Sequence, residues 1–255
     1  MNHELLCTST KIVSKQGIKL VTFDVTNTLL QFKLPAWQYY AAIAQTHGFK
    51  GSREEVKSKF KNSFKSMWTE YPNFGKDTIQ WRNWWLGVVK MTLQDHLPSD
   101  ANLKIIAEEL IEEFRTDRCW QIAQGSDKLI SHLRNLGISV GVISNFDPRL
   151  KDILHSLCLH NTFDFVLTSY ELGYSKPDKR IFMSAIDLCK KPVVPSEALH
   201  IGDDVKKDYE GARAAGWHAL LINAQPESEK KLVQEHVFKD LDELVSKIEQ
   251  DKLKL

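Results

Sequence analysis

The chain has 255 residues, 42% of them hydrophobic and 26% charged, which supports a large buried core and excludes a disordered tail or a small scaffold that needs staples. Lys and Arg number 34 against 33 Asp and Glu, a formal charge of +1, so no net field draws the protein to nucleic acid or an anionic membrane. Cys7, Cys119, Cys158 and Cys189 are too scattered for a zinc site, and no apolar run reaches membrane-spanning length. The first residues, M-N-H-E-L-L-C, lack a signal-peptide core, and Glu4 with no nearby arginine argues against a mitochondrial presequence. These features lead us to expect reduced thiols and a cytoplasmic or nuclear protein without nucleic-acid or membrane partners.

In chain order, residues 17–24 (G-I-K-L-V-T-F-D) form a short apolar run closed by an acid, the pattern of a buried parallel strand. Residues 33–121 then break into helical patterns, with turn signals near residues 48–52, 71–75 and 97–100. Most of the tryptophans fall here. Trp81, Trp84, Trp85, Val88 and Val89 share one helix face, a spacing that reads as core packing before it reads as an aromatic ligand box. Trp37 and Trp68 have no assigned role.

Beyond residue 122, helix and strand alternate. Ser126 is the expected N-cap of a helix carrying Leu129, Ile130, Leu133 and Leu136 and stopped by Gly137. A strand over residues 138–145 follows. Asp147 and Pro148 then open a helix with Leu150, Ile153, Leu154 and Leu157 on its apolar stripe. A strand over 163–169 leads to a helix opened by Pro177 and Asp178. Strand 198–204 leads to a helix over 208–215 closed by Gly216, and strand 218–223 comes next. Phe238, Leu241, Leu244, Val245 and Ile248 predict a last amphipathic helix docked on the core. The alternation predicts an α/β fold, a Rossmann-like doubly wound parallel sheet. Its core spans residues 17–32 and 122–250, and residues 33–121 form an inserted helical domain.

A parallel sheet gathers its strand ends along one edge. That edge would hold Asp24, Ser144 and Asn145, Asp203 and Asp204, with Lys176 in the loop after the third strand. Acids, a hydroxyl, an amide and one ammonium suit a divalent cation and a phosphoryl group, and carboxylate oxygens suit Mg2+. Taken singly, an acid closing a strand is more often a cap or turn residue, and a lone lysine a solvated one. His155, His160 and His200 show no spacing beyond structural or surface roles. No G-x-x-x-x-G-K-[ST] loop is present to support P-loop nucleotide binding.

The strand-end motifs D-V-T-N-T (24–28), V-I-S-N (142–145), S-K-P (175–177) and G-D-D-V-K-K-D (202–208) stand in the order of the haloacid dehalogenase-like hydrolase superfamily, which the chain resembles over most of its length. The insertion between the first two motifs is similar to the subclass with a helical cap. Q-W-R-N-W-W-L (80–86), I-S-N-F-D-P-R-L (143–150) and F-D-F-V-L-T-S (163–169) resemble an animal subgroup of that family. The resemblance implies a hydrolase fold whose cap closes over the site. It implies Asp24 as the nucleophile that becomes an aspartyl phosphate, and Ser144, the Asn145 backbone and Lys176 as phosphoryl-binding groups. It also implies Lys176 as a catalytic charge partner of Asp24. Magnesium would be held by Asp24, the Thr26 carbonyl and Asp203, with Asp208 behind them and Asp204 competing for that place.

Thr26 departs from the pattern. Phosphatases of the family carry there an acid that protonates the leaving oxygen and later activates water, and the dehalogenase branch carries an aromatic residue. A threonine hydroxyl exchanges no proton near neutral pH, so the general acid and base is lost, a factor of roughly 10² to 10⁴. Threonine there resembles the P-type ion pumps, in which the aspartyl phosphate persists. Asn27 replaces the usual glycine, and asparagine tolerates positive φ. The expected function is a magnesium-dependent phosphatase of reduced or specialised activity on a small phosphorylated molecule. The alternative is a weak or inactive module that binds a phosphorylated ligand or a protein.

Overall fold

The computed structural model describes residues 17–223, 232–250 and 252–255; Glu4 and Cys7 lie outside the described residues. The chain runs through β1 (Leu20–Phe23) and β2 (Leu30–Phe32) into the helices α1 (Ala36–Thr46), α2 (Arg53–Glu70), α3 (Gln80–Leu93) and α4 (Leu103–Phe114). It continues through β3 (Trp120–Ile122), α5 (Ser126–Asn135), β4 (Ser139–Ser144), α6 (Leu150–Ser156), β5 (Phe165–Thr168) and α7 (Lys179–Asp187). Then come β6 (Ala198–Gly202), a π turn (Val205–Glu210) leading into α8 (Gly211–Ala214), β7 (His218–Ile222), β8 (Val237–Phe238) and α9 (Leu241–Glu249).

The expected parallel α/β sheet is present, with strand order β5-β4-β1-β6-β7-β8. Every pairing in it is parallel. β1 lies between β4 and β6, so the connections diverge at its carboxyl end, the switch point where such sheets bind ligands. All five expected strands form. β8 adds a sixth, too short to show any period, and β2 and β3 pair as a separate two-stranded sheet. Among the described residues, no helix is long and apolar enough to cross a membrane.

Two compact units form. One holds the described residues up to Gln31, with Ile122–Asn145 and Leu159–Leu255; the other holds Phe32–Gln121 and Phe146–Cys158. In the first, Leu20, Ile143, Phe182, Trp217 and Leu221 belong to one buried cluster, and α9 buries Leu241, Leu244, Val245 and Ile248 as its periodicity requires.

The second unit is built around Trp84, which is fully buried against the rings of Phe64, Phe74 and Trp85. Its indole N–H donates to the carbonyls of Met67 and Tyr71 at 3.1 and 2.9 Å, so the ring is buried with its one donor satisfied. A capping box between Ser52 and Glu55 starts α2. Residues 146–158, assigned to the sheet domain from sequence, group with this helical unit: Asp152 pairs with Arg115 at 3.0 Å, the Phe146 ring lies 6.1 Å from the Trp120 ring, and a polar cluster forms around Asp147. The Asp147 carboxylate pairs with the Arg149 guanidinium at 2.9 and 2.6 Å and accepts the Trp85 indole N–H at 2.8 Å. Arg149 also lies 4.7 Å from the Trp85 ring centroid. The tryptophan face of α3 therefore has an apolar side in the core and a polar side that holds a buried ion pair.

Three helix starts differ from expectation. Gly125, at φ 86°, is the N-cap of α5, so Ser126 lies inside the first turn with its hydroxyl buried. α6 begins at Leu150, because the Asp147 carboxylate accepts the Arg149 N–H and the proline remains in the turn before the helix. The helix expected over 208–215 starts three residues earlier, as the π turn from Val205 capped by Asp204, whereas α7 opens at Pro177 and Asp178 as expected, with Asp178 its cap. Local side-chain bonds decide such ends, and periodicity does not see them.

Candidate active site

Asp24 follows directly on β1. Its N–H donates to the Ile201 carbonyl of β6 at 2.9 Å, which extends the ladder one residue and fixes the carboxylate at the sheet edge. Val25, Thr28, Leu29 and Leu30 then fold back in a tight turn whose amides at 28, 29 and 30 all donate to the Val25 carbonyl. Asn27 sits in this turn at φ 60°, the left-handed conformation that asparagine adopts more readily than most residues. Thr26, half-buried, bridges to Leu30 in the same turn.

Lys176 is 3% exposed and anchors the site. Its ammonium donates to Asp24 Oδ1 at 2.6 Å and to the Ile143 carbonyl at 2.8 Å, and it lies 2.5 Å from Asp208 Oδ1. Asn145 holds the lysine's backbone from both sides: its amide donates to the Lys176 carbonyl at 2.9 Å and its oxygen accepts the Lys176 N–H at 2.8 Å. Ser144 is buried at the carboxyl end of β4. The third-motif lysine therefore reaches the first-motif acid because the second motif holds the loop that carries it.

Asp24, Asp203 and Asp208 each bring a carboxylate oxygen within 4.8 Å of the others. Asp203 accepts a hydrogen bond from the Asn27 side chain at 3.0 Å. Asp208 lies over Gly202, where a Cβ would come within 2.2 Å of its Cγ; the glycine of the fourth motif makes room for this carboxylate. Asp204 does different work. Its carboxylate accepts the N–H groups of Lys206 and Lys207 and the Lys207 ammonium, so it caps the π turn and stands outside the cluster.

Charge is unevenly shared in this cluster. Burial would raise Asp208, but Lys176 and His200 outweigh it and hold its carboxyl well below the usual range. Burial would lower the Lys176 ammonium, and the carboxylates of Asp208 and Asp24 turn the shift upward. Asp24 is raised, mainly by burial, with Lys176 opposing. Asp203 is pushed up to about 7 by burial and by the charge of Asp24. An ammonium and three crowded carboxylates leave local negative charge that a hard divalent cation would neutralise, and the all-oxygen donor set fits magnesium.

Sequence reasoning missed His200, Thr22 and Asn223. His200 lies fully buried between Thr22 and Asp208, with Nδ1 2.8 Å from Thr22 Oγ1 and Nε2 3.1 Å from Asp208 Oδ1. Asn223 donates to the Asn27 carbonyl at 2.9 Å. Thr22 and His200 each precede a motif on a sheet strand, a signal that alternation along β1 and β6 carries once the register is known, whereas Asn223 follows β7 and adjoins no motif.

The comparisons agree with this fold. The family model described as "Hydrolase: haloacid dehalogenase-like hydrolase" matches residues 18–216. "Haloacid dehalogenase-like hydrolase domain-containing protein 3" of Xenopus laevis is 34% identical over 236 residues, 91% of this chain and 96% of its own. That is the animal subgroup to which residues 80–86, 143–150 and 163–169 pointed. "Rhythmically expressed gene 2 protein" of Drosophila melanogaster is 36% identical over 252 residues, 92% of this chain and 96% of its own. The crystal structure of a HAD phosphatase from Thermococcus onnurineus superimposes with TM-score 0.63 at 23% identity, covering 90% of this chain and 97% of that one, a likeness of fold.

Proposed function

The chain belongs to the haloacid dehalogenase-like hydrolase family, and from that membership we propose that it is a magnesium-dependent phosphohydrolase acting through an aspartyl phosphate on a small phosphorylated molecule. The observation that carries the reading is the contact of Lys176 with Asp24 at 2.6 Å beside the acids Asp203 and Asp208. Asp24, Asp203 and the Thr26 carbonyl would hold magnesium, with Asp208 behind them. Bound there, the cation would polarise the phosphoryl oxygens and offset the charge of the carboxylates.

In the first step the Asp24 carboxylate attacks phosphorus; the Asp24 O–P bond forms and the bond to the leaving oxygen breaks. Lys176 neutralises the charge that builds on the nucleophile and phosphoryl group, and Ser144 with the backbone at Asn145 binds the phosphoryl oxygens. The leaving oxygen takes its proton from solvent, because Thr26 supplies none. Aryl and acyl phosphates leave without that help, and alkyl phosphates do not. In the second step water attacks the phosphorus of the aspartyl phosphate, the Asp24 O–P bond breaks, inorganic phosphate leaves with Asp24 restored, and the water's proton passes to solvent. Without a base at position 26 this step is slow, so the intermediate accumulates.

Hydrolysis of an aryl phosphate with magnesium tests the reading: a burst followed by slow turnover is expected, abolished in Asp24→Asn. Full activity in Asp24→Asn would refute the nucleophile. Thr26 also motivates a second reading, a module that holds a phosphorylated ligand without turning it over. Thr26→Asp separates the two. The hydrolase reading expects a gain of roughly 10² to 10⁴ on alkyl phosphates, and the binding reading expects none.

A further inference from the structure

Next to the carboxylate cluster the sheet carries polar groups that the proposed steps leave unused. The parallel register of β1 and β6 sets Thr22 beside His200, two residues before Asp24 and two before Gly202. Alternation therefore turns Thr22 to the face of Asp24 and His200 to the face of Gly202. The missing Cβ at Gly202 lets the Asp208 carboxylate settle over the strand, within 3.1 Å of the His200 ring. One oxygen of Asp208 meets both the Lys176 ammonium and the imidazole, and the other accepts the Asp204 N–H at 2.9 Å. A continuous chain results: Thr22, His200, Asp208, Lys176, Asp24.

His200 is fully buried and stands edge-on to the Phe182 ring at 5.3 Å. Filling space there calls for an apolar side chain, since burying an imidazole costs free energy unless both nitrogens are bonded. Both are bonded, and to groups on the path to the nucleophile. We propose that His200 is a positioning residue for phosphoryl transfer, fixing Asp208 so that Asp208 in turn holds Lys176 against Asp24. The proposal rests on the reading of Asp24 as nucleophile and Lys176 as its charge partner. Asp208 accepts from Lys176 and Asp204, so the ring nitrogen facing it donates, and Nδ1 accepts the Thr22 hydroxyl proton. Without that donor the oxygen facing Lys176 loses its second anchor while the other keeps the Asp204 N–H, and the ammonium loses part of the support that aims it at Asp24.

Three variants test this, His200→Leu, His200→Gln and Thr22→Val, each read by two measurements. One is the rate at which acetic anhydride acetylates Lys176 in the native protein, followed by peptide mass spectrometry. The other is the burst rate constant, set beside steady-state kcat, for p-nitrophenyl phosphate with magnesium. Partners that orient an active-site ligand carry about 10- to 100-fold of activity. His200→Leu is expected to raise Lys176 acetylation about 10-fold and to lower the burst rate constant by about 10-fold or more, with a smaller effect on kcat. His200→Gln keeps an N–H donor toward Asp208 and stays within about threefold of the parent on both readouts. Thr22→Val, which removes only a hydroxyl and guards against a misfolded leucine variant, shifts both readouts in the direction of His200→Leu by a smaller factor. Equal impairment by leucine and glutamine, or no change with leucine, overturns the proposal. If no protein turns over the phosphate, the hydrolase reading fails, while acetylation of Lys176 still decides the role of His200.

Discussion

Asp203 shows how the site weighs charge at the scale of one residue. Its carboxyl is pushed up to about 7 by burial and by Asp24. A group raised above its unfolded value contributes stability below that unfolded value and loses it as pH rises through the folded one. The metal-free protein therefore loses stability from this group between about pH 4 and 7, where a bound cation would offset the loss. Thermal melts should show a larger magnesium-induced rise in Tm at pH 8 than at pH 6, since protons compete with the cation below 7. Asp203→Asn should raise Tm of the metal-free protein at pH 8 and abolish the magnesium response; a response that survives would remove Asp203 from the metal site. Single residues were unevenly legible. Asp24 and Asp203 stood out because motif and strand end coincide, and Lys176 because its motif lies in the loop after a strand. His200 did not, since a histidine inside an apolar strand carries no signal until register sets it beside Thr22.

At the scale of elements, the turn after β6 separates two acids that the sequence left in competition. Asp204 caps the π turn and Asp208 faces Lys176. Asp204→Ala should cost about 1 kcal/mol in urea denaturation, the usual worth of an N-cap, and leave the magnesium response intact. Loss of that response would return Asp204 to the metal. Gly202→Ala places a Cβ in the space of the Asp208 carboxylate, so it should abolish turnover of an aryl phosphate while circular dichroism shows the fold retained. Strands were legible because buried parallel strands are short apolar runs whatever their neighbours. The starts of α5, α6 and the π turn were not, because a glycine at positive φ, a side chain folded onto its own backbone and a cap at Asp204 leave the apolar period unchanged.

For the whole molecule, the parallel sheet follows from the alternation of strand and helix, and the helical unit from the break in that rhythm. The place of residues 146–158 was hidden, because Asp147 and Arg149 look like an ordinary capped helix start until Trp85 is found donating to the carboxylate. Trp84 at the centre of the helical unit is the test of its packing: Trp84→Ala should cost about 3 to 5 kcal/mol in denaturant melts. A cost under about 1 kcal/mol would show that the core lies elsewhere.

Covalent capture of the intermediate decides whether Asp24 is the nucleophile. The protein is mixed with magnesium and radiolabelled acetyl phosphate, quenched in acid and digested. Label is expected on the peptide containing Asp24, released by hydroxylamine as an acyl phosphate is, absent from Asp24→Asn and longer-lived in the parent than in Thr26→Asp. No label on the parent, or label undiminished in Asp24→Asn, would contradict that role for Asp24.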